Sequence, residues 1–291
     1  MAVKGKTIDR KKRKKKNTKG SLILIVLLFV LGIGVLLYPT ISDLWNTHRS
    51  NRLVTVYQSK VDHIPETRIR EELRKARGYN RQHTSNVVAD AFTKDKYMIE
   101  HPYDDLLNPT DNGVMGYLEI PRIQQKLAIF HGTSAKVLEK GVGHVKGTSL
   151  PIGGKGTHAV LAAHRGLPSA KLFSDLDKME VGDKFYLTVL NRHLAYQVDR
   201  IRVVSPKNME ELAIQKGRDY VTLLTCTPYG VNTHRLLVRG HRVPYQTHKP
   251  IRSPLGKLLH SWQFWLSAGA VSAAFLTGAT KKKRRGRMRK G

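Results

Sequence analysis

The sequence predicts a mostly β protein: a closed or nearly closed β-barrel with short helices, held between two transmembrane helices. From Met115 onward the chain breaks into short β-branched runs separated by turn residues. Few helical stretches interrupt these runs, which points to a barrel rather than an alternating α/β sheet. Two uncharged apolar runs, 21–38 and 262–280, bracket the body, and each abuts a strongly basic tail.

The strands follow in order. MGYLEI (115–120), QKLAIFH (125–131), HAVLAAH (158–164), KFYLTVL (184–190), HLAYQVDRIRVV (193–204), YVTLLTC (220–226) and HRLLVRGHRV (234–243) all fit β-structure. Val181-Gly182-Asp183 and Asn191-Arg192 supply turns between neighbours. Short helices are expected near 134–139, 169–176 and 208–214. Ahead of the strands, 41–78 reads as helix: Pro65 suits a first turn, and ETRIREELRKAR (66–77) sets acids and bases three and four apart. The polar stretch 79–112, punctuated by Asn, Asp and Pro, reads as a long irregular connection.

Charge settles the broad class. The 291 residues hold 51 Lys+Arg against 22 Asp+Glu, a net charge of +29 that by itself suggests a nucleic-acid partner. The distribution argues against one. Residues 1–20 carry ten Lys/Arg and one acid, and 281–291 carry eight and none, so the tails contribute +9 and +8 and leave +12 on the body. Each basic block flanks an apolar run. The run 21–38, SLILIVLLFVLGIGVLLY, rises about 27 Å as a helix, close to the thickness of a hydrocarbon core. The run 262–280 begins with Trp262 and Trp265, placed as an interfacial belt. LYPTISDLW after the first run lacks a small-x-small cleavage site, so an uncleaved anchor is expected. The positive-inside rule then puts both termini in the cytoplasm. The expected organisation is a cytoplasmic tail 1–20, a transmembrane helix 21–38, an extracytoplasmic leader and lid segment 39–112, a catalytic barrel 113–250, a transmembrane helix 262–280 and a cytoplasmic tail 281–291. The partners expected on this basis are the lipid bilayer and no nucleic acid.

One residue carries the chemistry. Cys226, the single cysteine, ends an apolar strand, and Arg235 opens the next after eight intervening residues. A hairpin sets such positions side by side, where a guanidinium stabilises a thiolate or an oxyanion. His164 closes another β-branched run, and a histidine beside a cysteine activates the thiol. On residue type alone the plainer readings stand beside these: a buried small apolar Cys, a satisfied core His, a solvated strand Arg. One Cys, and no Cys–His pair at ligand spacing, argue against a zinc site; no metal and no cofactor are expected. Gly153, Gly154 and Gly156 allow turns, and no Lys-Ser/Thr follows them to make a phosphate loop.

The wording around these residues resembles the sortase family. Thr222-Leu223-Leu224-Thr225-Cys226 matches its TLxTC signature, CTPYGVNTHRLLVRG extends the match through Arg235, and GHVKGTSLPIGGKGTHAVLAAHRGLPSAKLF (143–173) is similar to the segment around its catalytic histidine. The TPYGxNTHR wording and the C-terminal apolar run indicate the pilus-assembling branch, class C. The resemblance covers about 113–245 and implies an eight-stranded barrel, a cysteine transpeptidase, and LPxTG-like sorting signals on pilin subunits as substrates. It implies Cys226 as nucleophile, His164 as acid and base, and Arg235 on the substrate backbone or oxyanion, with Thr225 a supporting hydroxyl. It also implies joining of pilins through isopeptide bonds to a lysine. Class C enzymes commonly carry an Asp-Pro-aromatic lid over the cysteine. Asp90-Ala91-Phe92 is the nearest candidate, with Ala replacing Pro and loosening the loop. Two alternatives accompany this reading: a sortase anchoring proteins to peptidoglycan, and a non-catalytic membrane protein that binds sorting signals.

Overall fold

The computed structural model describes residues 18–82, 103–208, 210–248 and 251. Asp90, Phe92 and the run 262–280 lie outside the described residues.

Two helices precede the barrel. α1 (Thr18–Asp62) joins the apolar run to the segment after it without a break and contains Pro39; α2 (Glu66–Gln82) starts after Pro65. The expected 41–78 helix is therefore divided at 63–65, where proline suits a first helical turn but not a helix interior. The connection expected from 79 is helical as far as Gln82. Among the described residues no helix is long and apolar enough to cross a membrane; several side chains of 21–38 are outside that description.

Eight strands follow: β1 (Val114–Ile120), β2 (Gln125–His131), β3 (Val142–His144), β4 (Thr157–Ala162), β5 (Lys184–Val189), β6 (Arg192–Val204), β7 (Asp219–Thr227) and β8 (His234–Val243). They close into a barrel in the order β1-β2-β3-β4-β7-β8-β6-β5. The pairs β2–β3 and β4–β7 are parallel, and the others are antiparallel. Inward side chains fill the interior, with Leu118, Ile129, Phe185, Tyr196 and Val221 fully buried. Phe185 and Tyr196 stack at 5.7 Å. Gly240 makes room for that stack, because a Cβ there would sit 2.7 Å from the Phe185 ring.

Two of the short helices take another form. α3 (Ala135–Leu138) lies where 134–139 was expected. At 169–176 there is no α-helix: the Asp43 carboxylate accepts the Lys171 N–H at 2.9 Å, the Asn46 amide donates to the Ser169 carbonyl, and Leu172 takes φ 38. Those backbone groups serve α1 instead of a helix of their own. Near 208–214 only a single 3₁₀ turn forms, Glu210–Leu212, and the Ala213 carbonyl accepts from His158.

α1 is fastened to the barrel along its C-terminal half. The Ser50 hydroxyl donates to the Lys126 carbonyl at 3.0 Å. Buried Tyr57 donates to the Met115 carbonyl at 2.8 Å and accepts the Leu190 N–H at 2.7 Å.

Candidate active site

The site is built at one rim of the barrel by three adjacent strand ends. β7 and β8 form a hairpin in which Cys226 is the direct cross-strand partner of Arg235. Directly opposed residues project on the same face with Cβ atoms about 5 Å apart. Cys226 is 9% exposed and Arg235 7%, so both are shielded yet reach the rim. The Arg235 Nη1 donates to the carbonyls of Asn232 and His234, each at 3.2 Å, which folds the guanidinium back over the loop that joins the strands.

His164 arrives from the other side of β7. β4 runs parallel to β7 with Ala162 opposite Leu224, and the Ala163 N–H donates to the Leu224 carbonyl at 3.2 Å. Two residues further along each strand are His164 and Cys226, so the histidine leaves β4 level with the cysteine. The strand stops at Ala162 rather than at His164. Its extension is held by the buried Thr225, whose hydroxyl donates to the Ala163 carbonyl at 2.8 Å. The Phe173 N–H, returning from the following loop, donates to the His164 carbonyl at 3.2 Å.

Burial favours the neutral imidazole and lowers the His164 pKa; the Glu139 carboxylate acts in the opposite sense. A neutral, half-buried imidazole can take a proton and return it.

Arg165 was missed in the sequence, where an Arg next to a His suggests no more than a solvated side chain. It is buried. Its guanidinium pairs with the Asp177 carboxylate at 2.6 Å and donates to the Thr227 hydroxyl at 3.0 Å. It thereby fastens the loop after His164 to the residue that follows Cys226. Gly166 (φ 78) completes the contact, because a Cβ there would press to 3.2 Å of the Tyr229 ring. Tyr229 and Val231 project from the β7–β8 loop into solvent beside the site. The lid candidates Asp90 and Phe92 lie outside the described residues.

The sortase-domain family model matches residues 118–243. Sortase D of Bacillus subtilis is 30% identical over 138 residues, covering 46% of this chain and 67% of that protein. Sortase A of Streptococcus agalactiae is 26% identical over 225 residues, covering 75% and 82%. The structure of Streptococcus pneumoniae sortase C, described for its catalysis and pilin substrate specificity, is 44% identical with TM-score 0.63; the match covers 68% of this chain and all of that one. Sortase C1 of S. agalactiae is 48% identical with TM-score 0.62, covering 67% and 100%. The family-model match together with these likenesses makes the chain a member of the sortase family of cysteine transpeptidases, of the sortase C type.

Proposed function

We propose that the protein cleaves LPxTG-like sorting signals on pilin subunits and joins the subunits through isopeptide bonds, with Cys226 as nucleophile. The observation that carries this reading is the convergence of Cys226, Arg235 and His164 on three neighbouring strand ends. His164 takes the thiol proton as sulfur attacks the Thr carbonyl of the signal. Arg235 stabilises the oxyanion that forms. The C–N bond to Gly then breaks, His164 protonates the departing amine, and a thioester remains on Cys226. A pilin lysine amine attacks that thioester, gives its proton to His164, and frees the sulfur as the isopeptide bond closes. Thr225 supports the site through the Ala163 carbonyl. The likeness to a sortase C described for pilin substrate specificity supports the substrate class.

The same reading places the barrel outside the cell on a membrane anchor. Leu24, Leu27, Leu28, Phe29, Leu31 and Val35 of α1 are all exposed, so its N-terminal half presents a large apolar surface. The run 262–280 supplies the second crossing, and Asp90 and Phe92 form the lid.

The full chain in detergent, incubated with an LPxTG-type peptide, is expected to show the acyl mass on Cys226 and to transfer it to a pilin-domain lysine. Cys226→Ala shows neither. A wild-type protein that never acylates removes the enzymatic reading, whereas acylation with transfer only to peptidoglycan amines replaces pilin joining by wall anchoring.

A further inference from the structure

The barrel end away from Cys226 carries a second cluster of charge. β7 runs from Asp219 to Thr227, so Asp219 lies at its far end, about 23 Å from the cysteine at strand rise. Tyr196 on β6 faces Arg242 on β8, and the Arg242 guanidinium lies 5.5 Å over the Tyr196 ring. Arg192, four residues before Tyr196 on the same strand, shares its face by strand alternation. α2 covers this end: the Asn80 amide donates to the Leu150 carbonyl at 3.2 Å and its oxygen accepts the Leu150 N–H at 2.7 Å. Arg77, one turn earlier on α2, is thereby brought to the same mouth.

Among the described residues the carboxylate that faces Arg192 and Arg242 is Asp219, and it is already engaged. Asp219 accepts the Gly154 N–H at 2.8 Å and the Tyr196 hydroxyl at 2.9 Å. The 153–154 loop closes tightly on it: a Cβ on Gly153 would lie 3.0 Å from the Asp219 oxygen and 3.2 Å from the Arg242 Nη1. Burial disfavours the charged form of half-buried Arg192, and repulsion from Arg77 and then Arg242 adds to it. Burial raises the Asp219 carboxyl, while the Gly154 N–H, the Tyr196 hydroxyl and then Arg242 and Arg192 act in the opposite sense. Among the described residues, three cations against this one anion leave a surplus of positive charge at the mouth, where half-buried Arg192 is less screened by solvent than exposed Arg77.

We propose that Arg77, Arg192 and Arg242 form a phosphate-binding site at the end of the barrel opposite the cysteine. Guanidinium forks match the oxygens of a phosphate in paired hydrogen bonds, and its charge answers the surplus. The phosphate group is the shared chemistry of free inorganic phosphate and of glycerophosphate headgroups.

The test uses the full chain in detergent at constant ionic strength. Inorganic phosphate and glycerophosphoglycerol are each titrated against a chloride control, with binding read by calorimetry and Tm by scanning. At least one of the two is expected to bind and raise Tm. Arg192→Gln weakens that binding about tenfold, Arg192→Lys recovers part of it, and Arg202→Gln on the exposed part of β6 leaves it unchanged. Tighter binding of the diester points to a lipid or polymer headgroup, and tighter binding of inorganic phosphate to the free ion. Without ligand, Arg192→Gln is at least as stable as the parent, because it removes repulsion. The site is overturned if neither probe binds, if Arg192→Gln binds as well as the parent, or if ligand-free Arg192→Gln is destabilised as a structural arginine would be.

Discussion

His164 and the pair His144 and His158 occupy contrasting places in one barrel. His144 is fully buried on β3, accepting from the Tyr103 hydroxyl at 2.8 Å and donating to the Ser149 carbonyl at 2.9 Å. His158 is buried on β4, donating to the Ala213 carbonyl at 3.1 Å and accepting from the Thr222 hydroxyl at 2.7 Å. Burial pushes each of these down from 6.5 to about 4. His164 sits six residues beyond His158, past the end of the same strand, half out of the core, with its pKa lowered less. Six residues along one segment thus separate a locked neutral imidazole from one half out of the core, where it can gain and lose a proton. The difference lies in desolvation rather than in residue type.

The largest expected effect breaks the comparison in two. His164→Ala lowers kcat/KM for peptide cleavage by about 10²–10⁴ while shifting Tm little. His144→Phe does the reverse: it leaves Tyr103 and Ser149 without their partner, costs about 1–3 kcal/mol, and preserves the activity of the folded fraction. Paired kinetics and thermal melts on both variants check this, and a fall in kcat/KM for His144→Phe larger than for His164→Ala would reverse the assignment.

The next effect is acid unfolding. The two buried histidines bind their protons at about pH 4 when folded and at 6.5 when unfolded, so the unfolded chain holds more protons between those values. Their stabilisation is complete above pH 6.5 and is lost as pH falls to about 4, by on the order of 3 kcal/mol each. Denaturant titrations across this window should show stability falling with a slope approaching two protons, and His158→Gln should remove about one of them.

The smallest effect concerns the tie between the two regions. Thr225→Val leaves the Ala163 carbonyl unpaired and is expected to cost about 1–2 kcal/mol, with kcat falling more than KM changes. Thr225→Ser restores both. A valine variant with unaltered kcat would confine Thr225 to stability.

Much of the barrel was legible because strands of six or more residues carry turn signals at both ends. β3 was not, since three residues are too short to show a pattern, yet it closes the barrel between β2 and β4. The Cys226–Arg235 pairing followed from hairpin spacing, a local property. The approach of His164 depends on the parallel pairing of β4 with β7, which joins segments about sixty residues apart and leaves no periodic trace. There the family wording supplied what spacing could not. Arg165 stayed hidden for a related reason: its partners Thr227 and Asp177 come from two other segments. The helix expected at 169–176 failed because its backbone groups are taken by Asp43 and Asn46 from a distant helix.

Those two contacts set a limit on how the chain can be shortened. Asp43 and Asn46 hold the Lys171 and Ser169 backbone of the loop that returns to His164 through Phe173. A soluble fragment cut between the apolar run and Asp43 keeps both ties. A fragment beginning beyond Asn46 keeps the whole barrel but loses the clamp on that loop, so two preparations of equal apparent foldedness would differ in turnover according to where the first helix was cut.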